Sequence, residues 1–266
     1  MKIGLYQMNI AWEDKWKNYS QLENILKEQG DKTVDLLLLP EMSFTGFSMN
    51  TARTKESDMQ TIDKISSFAK TYRTAIGFGW VKDCGEKSEN HYTVINREGL
   101  VVSDYVKIHP FSFSGEERKF QGGENIVLFE LGGITFSTCI CYDLRFPEIF
   151  QTASSKANVI LVPANWPLER RGHWKCLLRA RAIENQVYMI GVNCVGNVGE
   201  LTYAGDSCVI DPNGEARLEA GMQKMVLEYD LTDDVEQFRS AFPMKRDRKE
   251  HLYYSFNLSK VSRDRQ

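Results

Sequence analysis

No stretch of the sequence approaches the roughly 20 consecutive apolar residues that a membrane span requires. The short apolar segment after Lys2 meets Glu13 and Asp14 too early for a secretory leader with its small-residue cleavage site. Basic excess is missing as well. The formal net charge of −3, from 33 basic and 36 acidic residues, supplies no field for holding a phosphate backbone, so nucleic acid is excluded as an expected partner. The basic stretch at residues 245–249 is broken by Asp247 and reads as a solvated tail. No Cys-x-x-Cys pair or Cys/His cluster has metal-ligand spacing. The six cysteines (84, 139, 141, 176, 194 and 208) are therefore expected as free thiols in a reducing cytoplasm. Nor is there an internal repeat, a low-complexity linker or a break in composition. One domain over residues 1–248 with a tail at 249–266 is the expected organisation.

What is present is ordinary globular material, 42% hydrophobic and 26% charged. Residues 2–8 read as a strand, and Tyr19, Leu22, Ile25 and Leu26 form one face of a helix ending near Gly30. The apolar run 36–39, stopped by Pro40, reads as a strand covered on both faces. A second helix carries Ile62, Ile65, Ala69 and Tyr72, and residues 75–80 return to strand. Residues 91–95 and 100–106 flank a turn closed by Gly99, the pattern of a hairpin. Further strands are expected at 127–130, 134–140, 159–162, 187–192, 207–210 and 225–229. Helices are expected after Pro147, on the stripe Trp174, Leu177, Leu178 and Ala182, and after Thr232. Alternating units mixed with hairpins imply an α/β fold, with two sheets packed together and helices outside.

Three polar residues share one kind of position, since Glu41, Lys107 and Cys141 each follow an apolar strand. In α/β architectures ligands collect at the carboxyl ends of strands, so these ends can converge across long sequence separations. A thiol needs a base or a nearby cation to become a nucleophile. Glu41 can be the base, and Lys107 with the Tyr142 backbone N–H can stabilise the oxyanion of an attacked carbonyl. Taken singly, Cys141 would more often be a small buried hydrophobe, the role expected of Cys139, and Glu41 or Lys107 a solvated strand-end charge.

The surrounding words sharpen this. Pro40-Glu41-Met42 with Thr45-Gly46-Phe47, Lys107-Ile108-His109-Pro110-Phe111, and Cys141-Tyr142-Asp143-Leu144-Arg145-Phe146-Pro147-Glu148 resemble, in order, the three catalytic blocks of the nitrilase superfamily of carbon-nitrogen hydrolases. Asn165-Trp166-Pro167 and the segment 181–186 resemble its omega-amidase branch, whose members hydrolyse the terminal amide of 2-oxo acids such as 2-oxoglutaramate. The resemblance implies a four-layer α-β-β-α sandwich, a homodimer, a small-molecule amide substrate, and no metal or organic cofactor. It also implies a second catalytic glutamate five residues before a glycine. Glu117 has that spacing to Gly122, with Glu116 its rival and a solvated charged loop the alternative to both. The arginine matching Arg145 is expected to hold the substrate carboxylate; an ion pair with Asp143 or Glu148 is its alternative. Phe44 and Trp166 are candidates to wall the pocket, core packing being the alternative for each. His173 is left outside the catalytic set. Hydrolysis of a nitrile or an N-carbamoyl compound by the same residues, or a catalytically silent binding protein on the same fold, are the competing functions.

Overall fold

The computed structural model describes residues 1–30, 34–198 and 200–253. The first of its two large sheets runs, in spatial order, Met225–Asp230, Lys2–Gln7, Leu36–Leu38, Ala75–Asp83, Ser88–Ile95 and Val101–Val106. Its Lys2–Gln7, Leu36–Leu38 and Ala75–Asp83 strands are parallel, and the outer strands join antiparallel. The second runs Ala216–Glu219, Cys208–Ile210, Tyr188–Asn193, Val159–Ala164, Ile134–Thr138 and Leu128–Leu131, again around a parallel centre.

Side-chain parity explains why the central strands are apolar on both faces. Leu36 and Leu38 point between the sheets, with Leu5, Tyr92, Val94 and Tyr105, against Phe136, Leu161, Ile190 and Val209 of the second sheet. Leu37, Ile76 and Phe78 point the other way and pack on Leu22, Leu26, Ile65 and Phe68 of the helices Lys15–Gln29 and Gln60–Tyr72. On the far side, Ile160, Val162 and Met189 meet Phe150, Trp174 and Leu178 of the helices Pro147–Ala153 and Arg171–Asn185. Helix, sheet, sheet and helix are thus stacked through three apolar seams, the four-layer α-β-β-α sandwich. Each fully buried Leu or Phe in such a seam contributes about 1.5 to 3 kcal/mol relative to exposure.

Two expectations need correction. The strand expected over 134–140 ends at Thr138, so Cys141 stands beyond the ladder after an extended Cys139-Ile140 link. The basic stretch 245–249 is docked at two of its residues, Lys245 Nζ donating to Ser154 O at 2.6 Å and Arg248 Nη2 to Gln151 Oε1 at 2.9 Å, while Arg246, Asp247 and Lys249 are exposed as expected. These cations sit at the carboxyl end of the helix Pro147–Ala153, where the helix dipole and terminal carbonyls favour positive charge. Of the expected tail, Glu250–Tyr253 forms a short helix, and residues 254–266 lie outside the described residues.

Candidate active site

Glu41 lies in the turn that follows Leu36–Leu38, and a glycine sets its place. The turn packs directly on the strand Ala75–Asp83: Ser43 N donates to Gly79 O and Gly79 N to Ser43 Oγ, both at 3.0 Å. A Cβ on Gly79 would collide with the backbone N of Met42, so only glycine allows this approach. The Glu41 carboxylate, 0% exposed, is then saturated. Its Oε1 accepts from Lys107 Nζ at 3.0 Å and Asn90 Nδ2 at 2.8 Å, and its Oε2 from the Asn165 N–H at 2.9 Å.

Lys107 follows Val101–Val106 and is 1% exposed. Beyond Glu41 it reaches both oxygens of Glu116, at 3.1 and 2.9 Å. Burial by itself pushes an ammonium toward neutrality, but the Glu116 and Glu41 carboxylates outweigh it and raise the Lys107 pKa, so the residue is a fixed cation. Burial raises the Glu116 carboxyl, partly offset by Lys107, while the negative charge of Glu41 adds to the rise. Glu116 also accepts from the Phe111 N–H at 2.5 Å, which folds the 111–116 loop over the site.

The second glutamate of the cluster is therefore Glu116 and not Glu117. Glu117 turns outward, with its side chain 43% exposed and 3.7 Å from Arg118. Both belong to one 3-10 turn, Glu116–Arg118, which begins after Gly115 at φ +79° and aims consecutive side chains in different directions.

Cys141 opens the 3-10 turn Cys141–Arg145 with φ at +47°, in the left-handed region where a non-glycine residue costs about 1 to 3 kcal/mol. Asp143, fully buried, holds this turn. Its carboxylate accepts from the Ile140 N–H at 2.9 Å, the Tyr105 hydroxyl at 2.7 Å, the His109 N–H at 3.0 Å and His109 Nδ1 at 2.8 Å. One side chain thereby ties the turn that carries the thiol to the strand and loop that carry Lys107. The Cys141 thiol is raised well above its ordinary range by burial first and then by the Glu41 charge, against the opposing pull of Lys107. Glu41 and the Asn165 backbone are groups beside it that act on its charge, and the Asn165 N–H itself donates to Glu41 Oε2. The resting Cys141 side chain is thus a neutral thiol within the field of the Glu41 carboxylate. Cys139, 1% exposed, is buried under the outer helices.

Lys107 and Cys141 open onto a cavity of about 210 Å³ with six aromatic side chains on its wall. Tyr142, Arg145 and Trp166 line it as the sequence suggested; Phe44 does not. Phe44 is 1% exposed and packs on Tyr19 and Phe78 under the helical layer, whereas Phe47 takes the wall. Met42, at φ +43°, turns the chain between the strand and these aromatics and so shifts which one faces inward. Arg145 forms no ion pair with Asp143 or Glu148. Its guanidinium stacks 4.9 Å from the Trp166 ring centre and contacts His173 Nδ1 at 3.3 Å. That leaves its charge available to a ligand.

A family model described as carbon-nitrogen hydrolase matches residues 2–240. The chain belongs to the carbon-nitrogen hydrolase family. Among relatives of this carbon-nitrogen hydrolase, the 2-oxoglutaramate amidase of Bacillus subtilis (strain 168) is 33% identical over 259 residues, covering 94% of this chain and 98% of that protein. A hydrolase in the agr operon of Staphylococcus aureus is 34% identical over 260 residues, covering 95% of this chain and all (100%) of its own. A crystal structure of a CN-hydrolase superfamily protein from Xanthomonas campestris, with an arsenic adduct in its active site, superposes with a TM-score of 0.88 at 30% identity. That likeness covers 97% of this chain and 99% of the other.

Sequence reasoning gave no role to Asn90, Arg170 or Tyr203, and named Asp143 only as an alternative ion-pair partner for Arg145. Asn90 shares a strand face with Tyr92 and Val94, and its Nδ2 bridges Glu41 and Glu116, the latter at 3.3 Å. A lone amide on an apolar inward face was the available signal. Arg170 and Tyr203 line the cavity from a short turn and a hairpin that carry no sequence signature.

Proposed function

We propose that this enzyme is an amidase that hydrolyses the terminal carboxamide of a small 2-oxo acid, 2-oxoglutaramate or 2-oxosuccinamate, to the dicarboxylic acid and ammonia. The observation that carries the reading is the joint placement, on one small cavity, of the Cys141 thiol, the Lys107 ammonium that Glu41 holds, and an Arg145 guanidinium that forms no ion pair with a carboxylate among the described residues. The relatives named 2-oxoglutaramate amidase and omega-amidase support the same substrate class. In the acylation step Glu41 takes the Cys141 proton as sulfur attacks the amide carbon. Lys107 and the Tyr142 N–H stabilise the oxyanion, and collapse expels ammonia, which receives the proton from Glu41. Water, deprotonated by Glu41, then attacks the thioester and releases the acid and the thiol. Glu116 holds Lys107 charged and in place throughout. Arg145 takes the distal carboxylate, its planar fork matching both oxygens.

The reading extends to a cytoplasmic homodimer. Its partial support is that, among the described residues, no helix is long and apolar enough to cross a membrane, and that Ile183 on an outer helix and Phe242 are left 50% and 67% exposed.

Ammonia release from 2-oxoglutaramate, 2-oxosuccinamate, glutamine, asparagine, a nitrile and an N-carbamoyl amine tests the assignment. The 2-oxo acid amides should rank first, and the acid should exceed its methyl ester by at least roughly tenfold in kcat/KM, since a charge-assisted hydrogen bond is worth about 1.5 to 3 kcal/mol. A nitrile or carbamoyl amine ranking first would overturn it. Mass spectrometry of the quenched reaction should find the acyl group on Cys141.

A further inference from the structure

Arg145 is not the only cation at the cavity. Arg170 lines the same wall, with its guanidinium 5.6 Å from the Phe111 ring centre. Among the described residues no carboxylate forms an ion pair with it, its neighbour Glu169 included. Its backbone is fixed. The Trp166 indole N–H donates to Arg170 O at 2.8 Å, Arg170 N donates to Pro167 O at 3.1 Å, and Pro167 bridges to Tyr203. The Trp166 backbone is itself clamped by the Asn193 side chain at 2.8 and 3.0 Å. Trp166 therefore carries the Arg145 guanidinium on its ring face and the Arg170 backbone carbonyl on its ring nitrogen, which anchors both residues to one platform. The residues that wall the cavity include Lys107, Arg145 and Arg170 and no aspartate or glutamate. The Arg170 charge is also felt at the Tyr203 hydroxyl, which senses Cys141 and Glu41 from the reacting end.

An amide of a 2-oxo acid and the amide of the corresponding 2-amino acid have the same length and the same two ends. They differ at C2, where one presents a carbonyl oxygen, an acceptor, and the other an ammonium, a cation with donors only. A guanidinium has five donors and no acceptor. It can bond the carbonyl and can only repel the ammonium. An acidic residue on the wall would soften that repulsion; none lines this cavity, and the two acids nearest it, Glu41 and Glu116, are paired with Lys107 at the reacting end.

We propose that Arg170 is a specificity residue that rejects 2-amino acid amides by charge and favours 2-oxo acid amides, a role that rests on the 2-oxo acid reading above. Arg145 holds the carboxylate common to both substrates; Arg170 reads the neighbouring carbon.

The test is the ratio of kcat/KM for 2-oxoglutaramate to that for glutamine in wild type, Arg170→Gln and Arg170→Lys, with circular dichroism melts to establish folding. The ratio should fall at least tenfold in Arg170→Gln, mostly through KM, and should be largely restored in Arg170→Lys, which keeps the charge. A second readout needs no turnover. The rate of Cys141 alkylation by iodoacetate relative to neutral iodoacetamide should drop in Arg170→Gln, because one of the cations drawing the anion inward is gone. A wild type preferring 2-oxoglutaramate, with that preference intact in Arg170→Gln, would overturn the role of Arg170 alone. A wild type without that preference would overturn the substrate reading and this role together.

Discussion

Replacing Lys107 by methionine keeps most of the side-chain volume and removes the charge that two buried carboxylates share. In the wild type, Lys107 Nζ lies 3.0 Å from Glu41 and 2.9 Å from Glu116, with both acids 0% exposed. Without the ammonium, the two carboxylates still bind the same Asn90 amide and stand a few ångströms apart. At an effective dielectric constant of about 20 and a separation of about 5 Å, their repulsion is roughly 3 kcal/mol, or about two pKa units. Burial already raises Glu116. One proton should therefore enter the pair near neutral pH. Any share of it on Glu41 disables the base, and loss of the oxyanion donor alone costs about 10² to 10³ in rate. We expect kcat/KM to fall by about 10³ or more. The raised carboxyl pKa also fixes the sign of the stability change. Its contribution is complete below the unfolded carboxyl value and is lost as pH rises through the folded value, so the variant should be most stable in mild acid. Urea unfolding from pH 5 to 8, beside ammonia-release kinetics, measures both. A variant within tenfold of wild type, or one whose stability shows no added pH dependence, would refute this account of the cluster.

Gly79→Ala should lose roughly 1 to 3 kcal/mol in urea unfolding, because its Cβ meets the Met42 backbone, and more than tenfold in kcat as Glu41 is displaced; near wild-type kinetics would refute the close-packing argument. Since burial and the Glu41 charge hold the Cys141 thiol well above its usual 9.0, its labelling by iodoacetamide should still accelerate above that pH. A rate that levels off below about pH 8 would mean a resting thiolate. Asp143→Asn should lower the melting temperature by roughly 5 to 15 °C, since an amide cannot accept all four hydrogen bonds and the loss is about 2 to 4 kcal/mol. It should also slow Cys141 labelling; an unchanged melt would make Asp143 a bystander.

The convergence of Glu41, Lys107 and Cys141 was legible in the chain because each follows an apolar strand, and strand ends in a parallel arrangement gather at one rim. The residues in the turns after those strands were less so. Glu116 and Glu117 are equivalent by composition, and spacing to Gly122 favoured the wrong one, because a 3-10 turn gives adjacent residues different directions without an apolar period to read. The choice between Phe44 and Phe47 failed for a related reason: Met42 takes a left-handed backbone that no residue type there announces. Arg145 was found through a motif, but whether its charge was spent on a neighbouring acid depended on Asp143, which the structure commits to Tyr105, His109 and Ile140. Docking of Lys245 was hidden because a basic run has the same composition whether it faces water or the carbonyls at a helix end.

The charge inventory of the cluster explains why this chemistry can run in so dry a place. At rest the buried groups are two carboxylates, one ammonium and a neutral thiol that feels the Glu41 charge. In the proposed acylation step the thiol proton passes to Glu41, which becomes neutral, and a negative charge appears on the substrate oxygen beside Lys107. The net charge of the cluster does not change; one negative charge moves from Glu41 to the oxyanion across the same ammonium. The large cost of desolvating an ion is therefore met when the chain folds around Lys107 and its two glutamates, and not again at the transition state. A glutamate in the position of Glu116 is needed on this view even though it moves no proton: without it the Lys107 ammonium would have Glu41 alone as counter-charge, and would lose that partner at the moment Glu41 accepts the thiol proton.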